Sequence, residues 1–361
     1  MEFLNMILSG TNQGILWGIM ALGVYITFRL LDFADLTVEG SFATGGAVAA
    51  ILIANKCDPL VACLVALIAG AAAGAVTGLL NTKLKIPPIL AGILTMTGLY
   101  TINLLIMGNK SSVAILPTQS MFAIVEGWFK VIPRTYIILM IGLVISAIVV
   151  GASYWFFGTE IGSSIRATGA NEKMCRAQGI NTDSTKILGL MISNAFVAFS
   201  GALIAQQQGT GNLTMGVGAI VIGLASVVIG ETIVSSKRNF MARLISIFLG
   251  SVIYRLIITI VYYLGLGTEY TKLLTAVIIV IALSLPALKG KFSANKRTKN
   301  APANPTDVTL NDELTDVEID KDQAQLAQAV ATDNVGCETT EVVKGASQVD
   351  EKEMKEEEKN A

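Results

Sequence analysis

Residues 187–207 read ILGLMISNAFVAFSGALIAQQ, a run without a single Asp, Glu, Lys or Arg. At about 1.5 Å of rise per residue a helix of that length covers roughly 30 Å, the thickness of a bilayer's hydrocarbon. The run lacks the strict apolar and polar alternation of a barrel strand. A chain in hydrocarbon must satisfy its own backbone polar groups, so a spanning helix fits and an outer-membrane barrel does not. Comparable runs lie at about 10–28, 36–54, 59–80, 88–107, 135–157, 216–234, 241–264 and 270–288. With 53% hydrophobic and only 15% charged residues, the 361-residue chain is too apolar for a soluble domain. The expected fold class is all-α, a polytopic membrane bundle of about nine transmembrane helices.

The chain divides at residue 288. Residues 289–361 carry ten Lys/Arg and sixteen Asp/Glu and end EKEMKEEEKNA, a composition that cannot bury enough apolar surface to order itself. An acidic, disordered cytoplasmic tail is expected there, and a transmembrane domain over 1–288. The first ten residues lack a basic stretch, so no cleavable signal is expected. The absence of His excludes histidine-based zinc sites and histidine proton relays. Cys57, Cys63, Cys175 and Cys337 form no CxxC pair and read as free thiols, with no metal site.

Basic residues set the orientation. Alternating helices place Arg29, Lys83, Lys85, Arg166, Lys173, Arg176, Lys186, Lys237, Arg238 and Arg243 on one side, against Lys56, Lys110, Lys130, Arg134 and Lys272 on the other. The richer side is cytoplasmic, which puts the N-terminus outside and the C-terminus in the cytoplasm.

The longest polar interruption, SSIRATGANEKMCRAQGINTDSTK at 163–186, then faces the cytoplasm. Gly169 divides it. Asn171 is placed to cap a helix of about two turns, with Glu172 at its positive end and Arg176 at its negative end. Gly179 followed by Ile180 suits a Schellman stop, with Ile180 folding back onto Met174 or Cys175. So short a helix is marginal alone and needs something to hold it. It lies either against the protein's own face and the headgroups or in a soluble partner.

These residues carry a resemblance. IRATGANEKMCRAQGINTDSTKILGLMISNAFVAFSGALIAQQQG (165–209), FRLLDFADLTVEGSFATGGAVAA (28–50) and GAIVIGLASVVIGETI (218–233) resemble ATP-binding-cassette importer permeases of the branched-chain amino acid, ribose and nucleoside type. The nearest subgroup is the one proposed to carry tryptophan or related aromatic amino acids. The resemblance spans about 10–288 and implies a permease domain with a short cytoplasmic coupling helix in the plasma membrane. It implies partners too: cytoplasmic ABC ATPase subunits, an extracytoplasmic substrate-binding lipoprotein and a second permease copy in a homodimer. By carry-over, Arg166, Gly169, Asn171, Met174, Arg176, Gly179, Ile180 and Asn181 shape the ATPase contact. The sequence has no GxxxxGK[ST] phosphate loop; GNKSS at 108–112 and GKFS at 290–293 lack its spacing. No cofactor is expected on this chain, ATP and Mg²⁺ belonging to the partner ATPase. No catalytic set and no nucleic-acid partner are expected.

Candidates for the translocation pathway are the polar residues within or near the spans. Asp32, Asp35 and Glu39, just after the cytoplasmic end of the first helix, fall on one helical face by their i, i+3, i+7 spacing, although Asp32 equally suits an N-cap. Glu39-Gly40-Ser41 followed by Thr44-Gly45-Gly46 suggests either a broken helix or ordinary small-residue packing. Arg255 sits mid-span, to meet a substrate carboxylate or to staple helices through backbone carbonyls or Tyr hydroxyls. Thr95, Thr97, Tyr100, Asn103 and Ser226 complete the set, though most such hydroxyls bond their own helix. KIPPIL at 85–90 marks a helix start, and 108–134 has room for an interfacial helix around Trp128. The competing functions are a ribose or nucleoside permease and an ion-coupled secondary transporter using Asp32, Asp35, Glu39 and Glu231.

Overall fold

The computed structural model describes residues 2–116, 120–128, 133–233 and 239–263, with isolated positions 273, 276, 277 and 280. The expected ninth span at 270–288 falls almost wholly outside these residues, and the acidic tail and the basic pair Lys237 and Arg238 fall entirely outside them. The described chain is helical: α1 (Glu2–Tyr25) passes into a π-helical turn (Ile26–Leu30), and then come α2 (Thr37–Ala54), α3 (Pro59–Thr82), α4 (Pro88–Ile106), α5 (Met121–Trp128) and α6 (Arg134–Gly158). After these come α7 (Glu160–Ala170), α8 (Glu172–Ala177), α9 (Thr182–Gln208), α10 (Ala219–Ile233) and α11 (Phe240–Tyr263). Among the described residues, seven helices are long and apolar enough to cross a membrane. The expected span at 216–234 shortens to the 15 residues of α10, because Gly218 turns the chain at φ +82° just before it. The helical reading also missed a small antiparallel ladder, β1 (Ser112–Ala114) with β2 (Thr210–Asn212), which ties the chain after α4 to the chain after α9.

Caps set the boundaries. Asp58 accepts the Leu60 N–H at 2.9 Å with Pro59 in the first turn of α3, and α4 opens on Pro88 as KIPPIL predicts. A cap of this kind contributes about 1 kcal/mol by satisfying a free helix-end donor. Helix α5 occupies part of the loop where an interfacial helix is expected, and buries Phe122.

Helices α1, α2 and α9 form the buried centre; α3, α4, α6 and α11 present large apolar faces outward. Lipid is as apolar as a leucine side chain, so these helices associate by close packing rather than by hydrophobic exclusion. Glycine every fourth residue permits it. A Cβ on Gly70 or Gly74 of α3 would overlap the Asn194 or Leu190 carbonyl of α9, and one on Gly14 of α1 would sit 2.6 Å from the Val252 Cα of α11. The small residues of α2 have the same cause: Gly45 lies on the Ala198 carbonyl and Gly201 on that of Phe42. Helix α2 is therefore continuous through Gly45 and Gly46, and the packing alternative holds over the broken helix. Serine hydroxyls add cross-links between helices: Ser193 donates to the Gly23 carbonyl at 2.7 Å, Ser200 to Leu16 at 2.8 Å and Ser251 to Gly14 at 2.8 Å.

Candidate coupling and translocation site

The break in the bundle lies before α2, not inside it. Helix α1 loosens into its π turn, with the Leu31 N–H bonding the Ile26 carbonyl and Phe33 reaching that of Thr27. Asp32 then takes φ +51°, a conformation Asp tolerates better than most residues. The connector 31–36 is non-helical, so Asp32, Asp35 and Glu39 do not share a helical face: Asp32 is exposed, Asp35 fully buried and Glu39 half-buried. Non-helical backbone at membrane depth is tolerated only where it is buried in protein or lines a water-filled cavity, and Gly92 of α4 lies directly on Leu36.

Asp35 anchors this connector. One carboxylate oxygen accepts the Thr37 N–H at 2.9 Å, and the other accepts the Asn194 side-chain amide at 2.7 Å. The Asn194 amide also reaches the Leu190 carbonyl at 3.0 Å, while its oxygen accepts from Ser41 at 2.7 Å. The Thr37 and Thr77 hydroxyls share a bond of 2.7 Å. The result is one buried polar chain joining the connector with α2, α3 and α9. Of its members, the sequence candidates included Asp35 and Ser41; Asn194, Thr37 and Thr77 were missed. The signal was present in Asn194, a strong hydrogen-bonding residue in the middle of the uncharged run 187–207.

The polar passage after α6 folds as two helices. Gly169 does not divide it; it lies inside α7, where a Cβ would overlap the Leu30 carbonyl. Ile165 packs with Leu31, Phe33 and Leu190, and Thr168 bonds Thr185 across to α9 at 3.0 Å. Helix α7 thus rests directly on the start of the connector. Asn171 caps α8 as predicted, accepting the Met174 N–H at 3.0 Å. The Schellman stop is complete: the Ile180 N–H bonds the Cys175 carbonyl at 3.0 Å, the Gly179 N–H bonds that of Arg176 at 3.1 Å, and Gly179 has φ +81°.

A charge cluster holds this six-residue helix to the start of α9. Glu172 accepts from Lys186 at 2.7 Å and from Arg176 at 2.9 Å, and Arg176 also donates to Thr182 at 2.8 Å and to Asp183 at 3.1 Å. The Lys186 hydrogen bond, with the two nearby cations, holds the Glu172 carboxyl below the usual carboxylate range. Asn181 caps α9 through the Ser184 N–H at 3.2 Å. Cys175 is buried beneath α8, whereas Lys173, Met174 and Ala177 are exposed on the knob. Arg166 stands apart from this cluster, its guanidinium 5.3 Å from the Phe240 ring centroid.

The other pathway candidates do not converge. Glu39 accepts the Gly218 N–H at 2.9 Å, bracing the start of α10. Thr95 and Ser226 are buried and bond carbonyls of their own helices, at 3.0 and 2.8 Å. Asn103 is buried on α4, which exposes Thr97 and Tyr100 on its outer face. Arg255 stacks 4.0 Å from the Trp17 ring centroid and reaches Gln13 at 3.4 Å, which joins α11 to side chains of α1. Glu231 pairs with Arg29 at 2.7 Å.

Residues 6–283 match the family described as branched-chain amino acid transport system / permease component. The chain belongs to this permease family. A tyrosine transport system permease protein of Clostridioides difficile (strain R20291) is 38% identical over 299 residues, covering 83% of this chain and 96% of that protein. The ribose import permease protein RbsC of Escherichia coli (strain K12) is 27% identical over 270 residues, covering 73% and 80%. No solved structure matches the chain significantly. As a member of the permease family the protein is a multi-pass membrane transport component.

Proposed function

We propose that this chain is the membrane permease of an ATP-driven importer for an amino acid, aromatic or branched-chain. The observation that carries this reading is the contact of α7 with the π turn and the connector: Gly169 lies on Leu30 and Leu31, and the same connector holds Asp35 against Asn194. A push on α8 travels through a rigid cluster into a non-helical segment that is wired to α2, α3 and α9. In this reading Met174 and its exposed neighbours on α8 dock a cytoplasmic ABC ATPase, which binds ATP and Mg²⁺ and performs all hydrolysis. The N-terminus lies outside and the C-terminus inside, a substrate-binding lipoprotein delivers solute from outside, and a second copy completes the pathway as a homodimer. The exposed Thr97 and Tyr100 of α4 then face that pathway. The similarity to the tyrosine permease supports an amino acid; the similarity to a ribose permease supports a sugar as the second reading.

The test is ATP-dependent uptake into vesicles holding the permease with its ATPase and binding protein, with labelled tyrosine, leucine and ribose compared. Tyrosine or leucine uptake that requires ATP supports the proposal. Ribose uptake alone favours the second reading, and uptake without the ATPase refutes both.

A further inference from the structure

On the cytoplasmic side of the proposed topology a cleft of about 440 Å³ opens between the π turn, α7 and α11, lined by Arg29, Arg166 and Arg243 with Ser163 and the small residues Ala167 and Gly169. Three guanidinium groups from three separate elements converge on it. The acidic groups nearby are Glu231, which takes Arg29 in a bidentate pair, and Asp32, close enough to act on Arg29. Arg243 is engaged with Tyr25. Arg166 has only the Phe240 ring among its described contacts and projects between this cleft and a second. That second cleft, about 430 Å³, is lined by Tyr154, Trp155, Phe157 and Phe240 around the same Arg166. Trp155 is 73% exposed at the end of a spanning helix, the depth at which Trp and Tyr mark the boundary between headgroups and acyl chains.

We infer that Arg166, Arg243 and Arg29 form a site for the phosphate of an anionic phospholipid, with the Tyr154–Trp155 cleft holding its glycerol backbone. The chemistry fits in two respects. Guanidinium forks bind phosphate oxygens in pairs, and basic pockets between membrane helices at the cytoplasmic surface attract anionic headgroups. A soluble anion would use the arginines and ignore the aromatic cleft; a lipid uses both, and Arg166 belongs to both. The site lies where α7 meets the π turn, so an occupant bridges the coupling element and α11. The inference depends on neither the transported solute nor the ATPase.

The test is thermal unfolding of the purified full-length permease in detergent, with added phosphatidylglycerol, phosphatidylcholine or glycerol 3-phosphate. Phosphatidylglycerol should raise Tm clearly more than phosphatidylcholine does. The double variant Arg166→Gln/Arg243→Gln should lose most of that extra rise. Arg166→Lys/Arg243→Lys should retain much of it, and Lys173→Gln, on the exposed knob, should retain all of it. Equal responses to the two lipids, an undiminished response in the double Gln variant, or an equal response to glycerol 3-phosphate would each overturn the assignment. If the double Gln variant does not fold, lipid retained by wild type and by the Lys variant is compared by native mass spectrometry, where no excess of phosphatidylglycerol over phosphatidylcholine overturns it equally.

Discussion

Asn194 is the residue on which the buried polar chain turns, because it donates to Asp35 and accepts from Ser41 at once. Asn194→Leu leaves both groups without that partner, and an unsatisfied buried polar group costs about 1–3 kcal/mol. The variant should lower Tm by several degrees and abolish uptake. Ser41→Ala, which removes a single donor, should cost about 0.6 kcal/mol, the average for hydrogen bonds between membrane helices; equal melting of the two variants would contradict the hub role of Asn194. At the knob, the Glu172 cluster gives a pH dependence with a definite sign. Its folded pKa lies below the ordinary 4.5, chiefly through Lys186. The clamp's contribution is therefore complete above about pH 4.5 and is lost as pH falls through the depressed value. Amide exchange in residues 172–180, corrected for intrinsic rates, should stay slow down to that region and then accelerate. Glu172→Gln should exchange faster at neutral pH and lose the transition.

Helix α8 illustrates how an element too short to stand alone is held. Its start, its stop and its capping residues were legible from spacing: Asn171, Gly179 and Ile180 behave as the sequence predicts, since caps are local chemistry. Gly179→Pro cannot adopt φ +81° and removes the N–H bonded to Arg176. That change should uncouple ATPase stimulation from transport while leaving expression intact. The role of Gly169 was not legible, since its neighbour Leu30 is remote in sequence and only packing reveals the contact. Gly169→Val should push α7 off the connector and reduce ATP-driven uptake at least tenfold, with ATPase binding retained. Measuring uptake and co-purification on the same preparation separates these outcomes; normal uptake would show that α7 does not act through the connector. The expected face of Asp32, Asp35 and Glu39 failed for a related reason. It assumed an unbroken helix, whereas no Gly or Pro within 26–36 announces the unwinding.

Across the whole molecule the cysteines report the orientation. Cys57 is exposed between α2 and α3, while Cys63 and Cys175 are buried. With the N-terminus outside, a membrane-impermeant maleimide should label Cys57 on intact cells and should label Cys337 only after the membrane is inverted or opened. Protection of Cys57 in intact cells would reverse the topology and place α8 on the wrong side for an ATPase.

The sequence by itself determined the membrane-spanning character of the long apolar helices, the helical class, the ends of several helices and the Schellman stop of α8. These follow from composition over about twenty residues and from bonds between near neighbours. Only the tertiary structure decided which polar residues meet. It joined Asp35 to Asn194 and rested Gly169 on Leu30, and it gave Glu231 to Arg29 and Arg255 to Trp17. Such pairings depend on how helices rotate and cross, and small-residue packing sets that over distances that sequence spacing does not encode.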